Sequence, residues 1–319
     1  MPKIKLLKMS LDSNQDTKKL FRNIKKSINR YIKLFLFQII NTMFKFNFNQ
    51  EESITEDENN AKETEIIGHG NLCQKHEFKT EMPEHMEILE FNPVSEIQLK
   101  YVDSAKSLNQ MKNLPEYLNE NSDLVKNVYE GGLKIWECSQ DLVSYLNSSN
   151  LNLKNQRILE LGCGAALPSL YCLKQRPEVL DLQDFNPEVI EYITKPNCIL
   201  NLVPENKCEI GLYSGDWADF LDKKKLKNND SNHDKYDLIL TSETIYDESN
   251  YGKLISVFKN LLKKDGTILL AAKIHYFGVG GGVQAFEKAI DKSGLWTYQT
   301  VFENCDSVKR QIIQIKFKK

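Results

Sequence analysis

From Tyr129 onward, short apolar runs alternate with runs of helical period. The apolar runs Arg157–Leu161, Val179–Asp184, Cys208–Tyr213, Tyr236–Thr241, Thr267–Ala272, Trp296–Phe302 and Gln311–Phe317 read as strands. Between most of them lie helical patterns, such as Leu167–Leu173, Asn186–Ile193, Tyr251–Leu262 and Gly282–Lys292. Ahead of the first strand, Trp136, Leu142, Val143 and Leu146 recur at helical spacing. Strands that are apolar throughout are buried on both faces, and helices between them supply the cover. The pattern predicts an α/β fold, a doubly wound seven-stranded sheet. Only the turn around Asn304-Cys305-Asp306-Ser307 separates the last two strands, which predicts a C-terminal antiparallel hairpin.

The first 128 residues follow a different pattern. Residues 1–42 form a basic extension, with Lys18, Lys19, Arg22, Lys25, Lys26, Arg30 and Lys33 clustered. The apolar stretch Leu34–Ile40 lies between Lys33 and Lys45, well short of the roughly 20 residues a membrane span needs. No small-residue cleavage site follows it at Asn41-Thr42-Met43-Phe44. The extension is read either as a basic amphipathic helix or as a spurious stretch upstream of a start at Met43. Residues 43–128 are read as a largely disordered or irregular lead-in, with an acidic linker over 49–65. Met86–Leu89 and Val94–Val102 are candidate short strands there, punctuated by Pro83, Pro93 and Pro115. The folded domain is assigned to 129–319.

Composition narrows the classes. The chain has 319 residues, 41% hydrophobic and 27% charged, with net charge −2, so a full core is within reach. Near-neutral balance gives no argument for a nucleic-acid partner. The seven cysteines are scattered without a CxxC pair, which argues for free thiols and against a disulfide scaffold or a metal site.

The candidate chemistry clusters at the carboxyl ends of the strands, where open α/β sheets bind ligands. Glu160-Leu161-Gly162-Cys163-Gly164 ends the first strand in a Gly-x-Gly turn that opens into a helix. Glycine there removes the Cβ where backbone must turn tightly and lie against a ligand. About twenty residues on, Gln183-Asp184-Phe185-Asn186 supplies an acid for ribose hydroxyls. Asp184 and Asn186 are equally placed to cap the following helix at Pro187. The third position of a dinucleotide fingerprint is Leu167 rather than glycine, which disfavours a dinucleotide. Ser214-Gly215-Asp216-Trp217 sets an acid beside an aromatic ring, suited to an adenine amino group and its face. A core role is the alternative for Trp217. Thr241-Ser242-Glu243-Thr244-Ile245-Tyr246 follows the fourth strand. Cys163 reads as a small turn filler, since no histidine accompanies it in motif form.

This layout resembles the Rossmann-like sheet of S-adenosylmethionine-dependent methyltransferases. The resemblance sharpens at Tyr129-Glu130-Gly131-Gly132-Leu133-Lys134-Ile135-Trp136-Glu137-Cys138, at Leu240–Tyr246 and at Tyr276-Phe277-Gly278-Val279-Gly280-Gly281-Gly282. Together these strings are similar to the protein-histidine N-methyltransferase family, over Tyr129 to the C-terminus. Met43-Phe44-Lys45-Phe46-Asn47-Phe48 is similar to the family's start. The resemblance implies S-adenosyl-L-methionine as cofactor and a protein substrate, a histidine of a large-subunit ribosomal protein. It implies a cofactor set of Trp136, Glu160, Gly162, Gly164, Asp184, Asn186, Asp216, Trp217 and Thr241. It also assigns substrate contacts to His275, Tyr276 and Gly280. A monomer working in the cytoplasm and nucleus is expected, with no membrane span and no nucleic-acid requirement.

A histidine acceptor needs its attacking nitrogen bare, which a carboxylate or hydroxyl secures by accepting the other N–H. Glu243 and Tyr246 have the right types and an E-x-x-Y spacing, so they are the candidate catalytic pair. The alternative is that Glu243 only caps the next helix or bonds the cofactor. Three other functions stand beside this reading: a protein-lysine methyltransferase of the same fold, a non-catalytic binding or chaperone module, and a small-molecule methyltransferase.

Overall fold

The computed structural model describes residues 72–82, 86–94, 97–108, 124–125, 128–204, 207–225, 234–305 and 308–319. The basic extension, the phenylalanine-rich start at 43–48 and the acidic linker lie outside the described residues. No described helix is long and apolar enough to cross a membrane.

In chain order the elements are β1 (Gln74–His76), β2 (Ile88–Val94), β3 (Ile97–Val102), α1 (Ser104–Leu108), α2 (Glu137–Ser148), β4 (Arg157–Leu161) and α3 (Leu167–Lys174). Then follow β5 (Val179–Asp184), α4 (Pro187–Val189), a π turn (Ile190–Thr194), α5 (Lys195–Leu200), β6 (Glu209–Ser214) and α6 (Trp217–Lys225). The chain closes with β7 (Tyr236–Ser242), α7 (Tyr251–Leu261), β8 (Leu262–Lys273), α8 (Val283–Ser293), β9 (Trp296–Asn304) and β10 (Arg310–Phe317).

All seven expected strands are present, and an eighth joins them, in the order β1-β6-β5-β4-β7-β8-β10-β9. β4 pairs in parallel with β5 on one side and β7 on the other. The order therefore reverses beside β4, and a crevice opens at the carboxyl ends of its strands. The C-terminal hairpin folds so that β10 inserts between β8 and β9, antiparallel to both, leaving β9 at the edge.

Alternation along β4 assigns the layers. Ile158 faces a core built with Leu142 and Leu146 of α2 and Leu170 of α3. Leu159 and Leu161 face the opposite core, with Leu254 and Phe258 of α7 and Phe286 of α8. Period two puts Glu160 on the Ile158 side, under α3.

The helical run after β5 extends past the expected Ile193. Pro196 reads as a breaker because it has no amide hydrogen. The chain accommodates it by widening: Lys195 N–H bonds Ile190 O, five residues back, in the π turn. The 43–128 lead-in contains more regular structure than its composition suggests. β2 and β3 pair as an antiparallel hairpin. Asn197 Oδ1 accepts from Val102 N at 2.7 Å and Asn201 Oδ1 from Lys100 N at 3.1 Å, so side chains of the α5 region satisfy the free edge of β3. β1 adds to β6 in antiparallel register, and His76 secures it through Ser214 Oγ (2.7 Å) and Glu191 Oε1 (2.8 Å).

Candidate functional site

A cleft of about 930 Å³, counting its open mouth, lies at the carboxyl ends of β4 to β7. Its floor is the Gly162–Gly164 turn. Gly162 and Gly164 have φ of +60° and +50°, a region costly for residues with a Cβ. A Cβ on Gly164 would sit 2.9 Å from Gly132 O, so this turn can touch the 131–132 bend only as glycine. The carbonyls of this turn are already taken: Thr194 Oγ1 donates to Gly164 O (2.7 Å) and Asn197 Nδ2 to Ala165 O (2.9 Å).

Asp184 lines the cleft at the end of β5. Its Oδ2 accepts from Gly164 N at 2.9 Å and its Oδ1 from Asn186 N at 3.2 Å. Burial pushes its carboxyl up to about 6, against the pull of these backbone N–H groups and with help from the nearby Glu130 charge. Asp216 and Trp217 also line the cleft, at the end of β6. Asp216 Oδ2 pairs with Lys253 Nζ at 2.6 Å, and Trp217 Nε1 donates to Gln183 Oε1 at 2.9 Å. Trp217 is therefore a fixed, half-buried cleft wall rather than plain core.

Three residues expected in the cleft stand behind its wall instead. Glu160 is fully buried and its Oε2 accepts from Ser169 N at 3.0 Å, which ties β4 to the first turn of α3. Burial pushes that carboxyl up to about 8. Asn186 is buried too; its Nδ2 donates to Val128 O (2.7 Å) and its Oδ1 accepts from Glu130 N (3.1 Å). It pins the loop that carries Glu130 to Gly132 along the cleft. Thr241 donates to Leu161 O at 3.0 Å and meets Thr244 Oγ1 at 2.6 Å, fixing the turn after β7.

The other end of the cleft is formed by Trp136, Glu243 and Tyr246. Trp136 Nε1 donates to Gly131 O at 3.1 Å, which stands its ring upright at the start of α2. Glu243 adopts φ +58°, an uncommon conformation for a residue with a long side chain. Tyr246 OH donates to Glu130 Oε2, linking the loop after β7 to the 130–132 loop along the cleft. Burial and then the Glu130 carboxylate push the Tyr246 phenol up, so it stays protonated.

Glu243 Oε1 is shut off from solvent and has no hydrogen-bond partner, although Lys273 Nζ lies 3.3 Å away. Tyr276 packs edge-on to Tyr246 with ring centroids 6.4 Å apart. Its hydroxyl accepts from Lys273 N at 3.3 Å, and it does not line the cleft. Neither His275 nor Gly280 lines it either: both are exposed, on a loop stapled to the site by Gly281 N–H to Tyr246 O (2.9 Å). Sequence patterns single out neither Glu130 nor Lys273. Both act through partners distant in sequence, although Glu130 lies inside the Tyr129–Cys138 string.

This donor and acceptor set suits a ligand with an apolar body and scattered polar groups: close backbone at the floor, acids at the ends of β5 and β6, and aromatic walls. A family model described as lysine methyltransferase matches residues 95–280, more than half of the chain. The histidine protein methyltransferase 1 homolog of Bos taurus is 37% identical over 221 residues, which cover 63% of this chain and 59% of that protein. That of Dictyostelium discoideum is 38% identical, covering 63% and 62%. The histidine protein methyltransferase 1 of Saccharomyces cerevisiae is 31% identical over 279 residues, covering 70% and 74%. The chain thus spans about three-fifths of the bovine and slime-mould relatives and three-quarters of the yeast one. Among solved structures, a putative methyltransferase complexed with SAH is similar at 15% identity and a TM-score of 0.46, covering 73% of this chain and 57% of that one.

Proposed function

The chain belongs to the histidine protein methyltransferase family, and from that premise we propose that it methylates a histidine side chain of a protein, with S-adenosyl-L-methionine as methyl donor. When bound, the donor supplies a methyl group already activated by its sulfonium. The residues of the cleft fit it. Gly162 and Gly164 bring backbone to the floor in a turn where a Cβ would strike Thr244 Cγ2 at 2.5 Å or Gly132 O at 2.9 Å, and the Asp184 carboxylate stands at the cleft for ribose hydroxyls. Asp216 and Trp217, held by Lys253 and Gln183, offer an acid and a ring to the adenine end.

The observation that carries the proposal is Glu243. It is a non-glycine residue in the left-handed region, in a cleft wall, with one buried carboxylate oxygen facing the Lys273 ammonium at 3.3 Å. Such strain at a cleft is a pointer to function. On the cleft side this carboxylate can accept an imidazole N–H. Histidine is mostly neutral near pH 7, given a reference pKa of about 6.5. Accepting one N–H leaves the other nitrogen bare for attack, and Glu243 takes that proton as the ring becomes cationic. Tyr246 has its hydroxyl committed to Glu130, so it presents its ring to the acceptor. Positioning supplies most of what remains.

We extend the proposal to a histidine of a large-subunit ribosomal protein as acceptor, with the enzyme acting as a monomer in cytoplasm and nucleus. The test is Glu243→Gln. It is expected to bind S-adenosylhomocysteine as the wild type does and to lose about 10²-fold or more in transfer rate. Wild-type rate with normal binding would remove Glu243 from the chemistry.

A further inference from the structure

Lys273, the last residue of β8, is a buried ammonium just behind the wall formed by Trp136 and Glu243. Its side chain is 9% exposed. Its Nζ lies 3.3 Å from Glu243 Oε1 and 3.5 Å from Glu137 Oε2. The same nitrogen stands 5.0 Å from the Trp136 ring centroid and 5.7 Å from that of Tyr276. Two carboxylates and two aromatic faces are what a site would use to hold a substrate ammonium. Here all four already serve a cation of the chain itself.

Resting on Glu243 as the acceptor-facing group, we propose that Lys273 is the residue that sets acceptor class: it fills the ammonium position from within, so the cleft takes a neutral imidazole and rejects a lysine. The surrounding charges agree. Asp141 is engaged by Arg310 Nε at 2.5 Å, so neither joins the balance at the cleft. The Cys138 thiol is pushed well up by burial and then by Glu243, and remains neutral. The Tyr276 phenol is raised by burial and by the same carboxylate, and is neutral too. Glu137 is 60% exposed and faces water. Lys273 and Glu243 therefore cancel each other at the buried wall. A second ammonium at this wall would meet a like charge beside a Glu243 carboxylate already paired, and would have to turn to Glu130, which accepts from Tyr246, whereas a neutral N–H needs only one acceptor lone pair.

The test uses full-length Lys273→Met with radiolabelled S-adenosylmethionine and lysate lacking the enzyme, followed by amino-acid analysis of the labelled protein. Calorimetry with S-adenosylhomocysteine serves as the fold control. The wild type is expected to label methylhistidine. In the variant, methylhistidine should fall at least tenfold, and methyllysine should appear as a larger share of the label. Lys273→Arg should keep the wild-type preference. Lys273→Gln carries the same expectation as Lys273→Met if the methionine variant does not fold. An unchanged product ratio in a variant that binds S-adenosylhomocysteine normally would overturn the inference, as would complete loss of transfer with no methyllysine. Glu243→Gln run alongside separates the two claims: if it keeps the wild-type rate, the reading of Glu243 fails, whatever Lys273 does.

Discussion

Glu160→Gln is expected to stabilise the protein, and increasingly so as pH rises. The carboxyl is fully buried, one oxygen accepts from Ser169 N–H, and the other has no partner. Burial raises it from an ordinary 4.5 to about 8 in the folded chain. Between those values the folded state holds a proton that the unfolded state has released. Stability therefore falls as pH rises through that window, by about 1.4 kcal/mol per unit. At pH 7, two and a half units above the ordinary value, the accumulated cost is about 3 kcal/mol, an upper limit. The glutamine amide keeps an acceptor for Ser169 N–H and does not titrate. Urea unfolding at pH 5, 6, 7 and 7.5 should show the variant's advantage widening by about 1.4 kcal/mol per pH unit. Because Glu160 stands behind the cleft wall, affinity for S-adenosylhomocysteine should be unchanged. A variant–wild-type gap that stays flat with pH would refute the argument. A lost affinity would put Glu160 back in the cleft.

Two further outcomes follow from the floor and its supports. Gly164→Ala, at φ +50° and 2.9 Å from Gly132 O, should cost about 1–2 kcal/mol in unfolding and abolish cofactor binding measured by calorimetry. Asn186→Ala leaves Val128 O and Glu130 N without their partners, so cofactor affinity should drop about tenfold although Asn186 is not in the cleft wall. Normal affinity in a folded Asn186→Ala would show that the 128–132 loop needs no such anchor.

The strands of the sheet were legible because most are dominated by apolar residues, and the turns after them carried most of the cleft wall. β1 was not. Gln-Lys-His has no apolar signal, and it becomes a strand only by pairing with β6 and by the bonds of His76 to Ser214 and Glu191. The length of the helical run after β5 was hidden for a related reason. Pro196 is a local stop signal that a wider turn overrides. Among site residues, the structure places Gly162 and Gly164 on the cleft floor and Glu160 behind the wall, where alternation puts it on the face of Ile158. Glu130 and Lys273 depend on partners elsewhere in the chain. The Tyr246–Glu130 bond joins residues 116 apart in sequence, a pairing that no spacing rule reveals.

The central claim is that the acceptor is a histidine. The most direct measurement is methyl transfer by the full chain from radiolabelled S-adenosylmethionine into lysate lacking the enzyme, with amino-acid analysis of the labelled protein. The account predicts label in methylhistidine on a single band the size of a ribosomal protein. Label in methyllysine alone would contradict it and recast Glu243 and Tyr246 as residues that handle an amine.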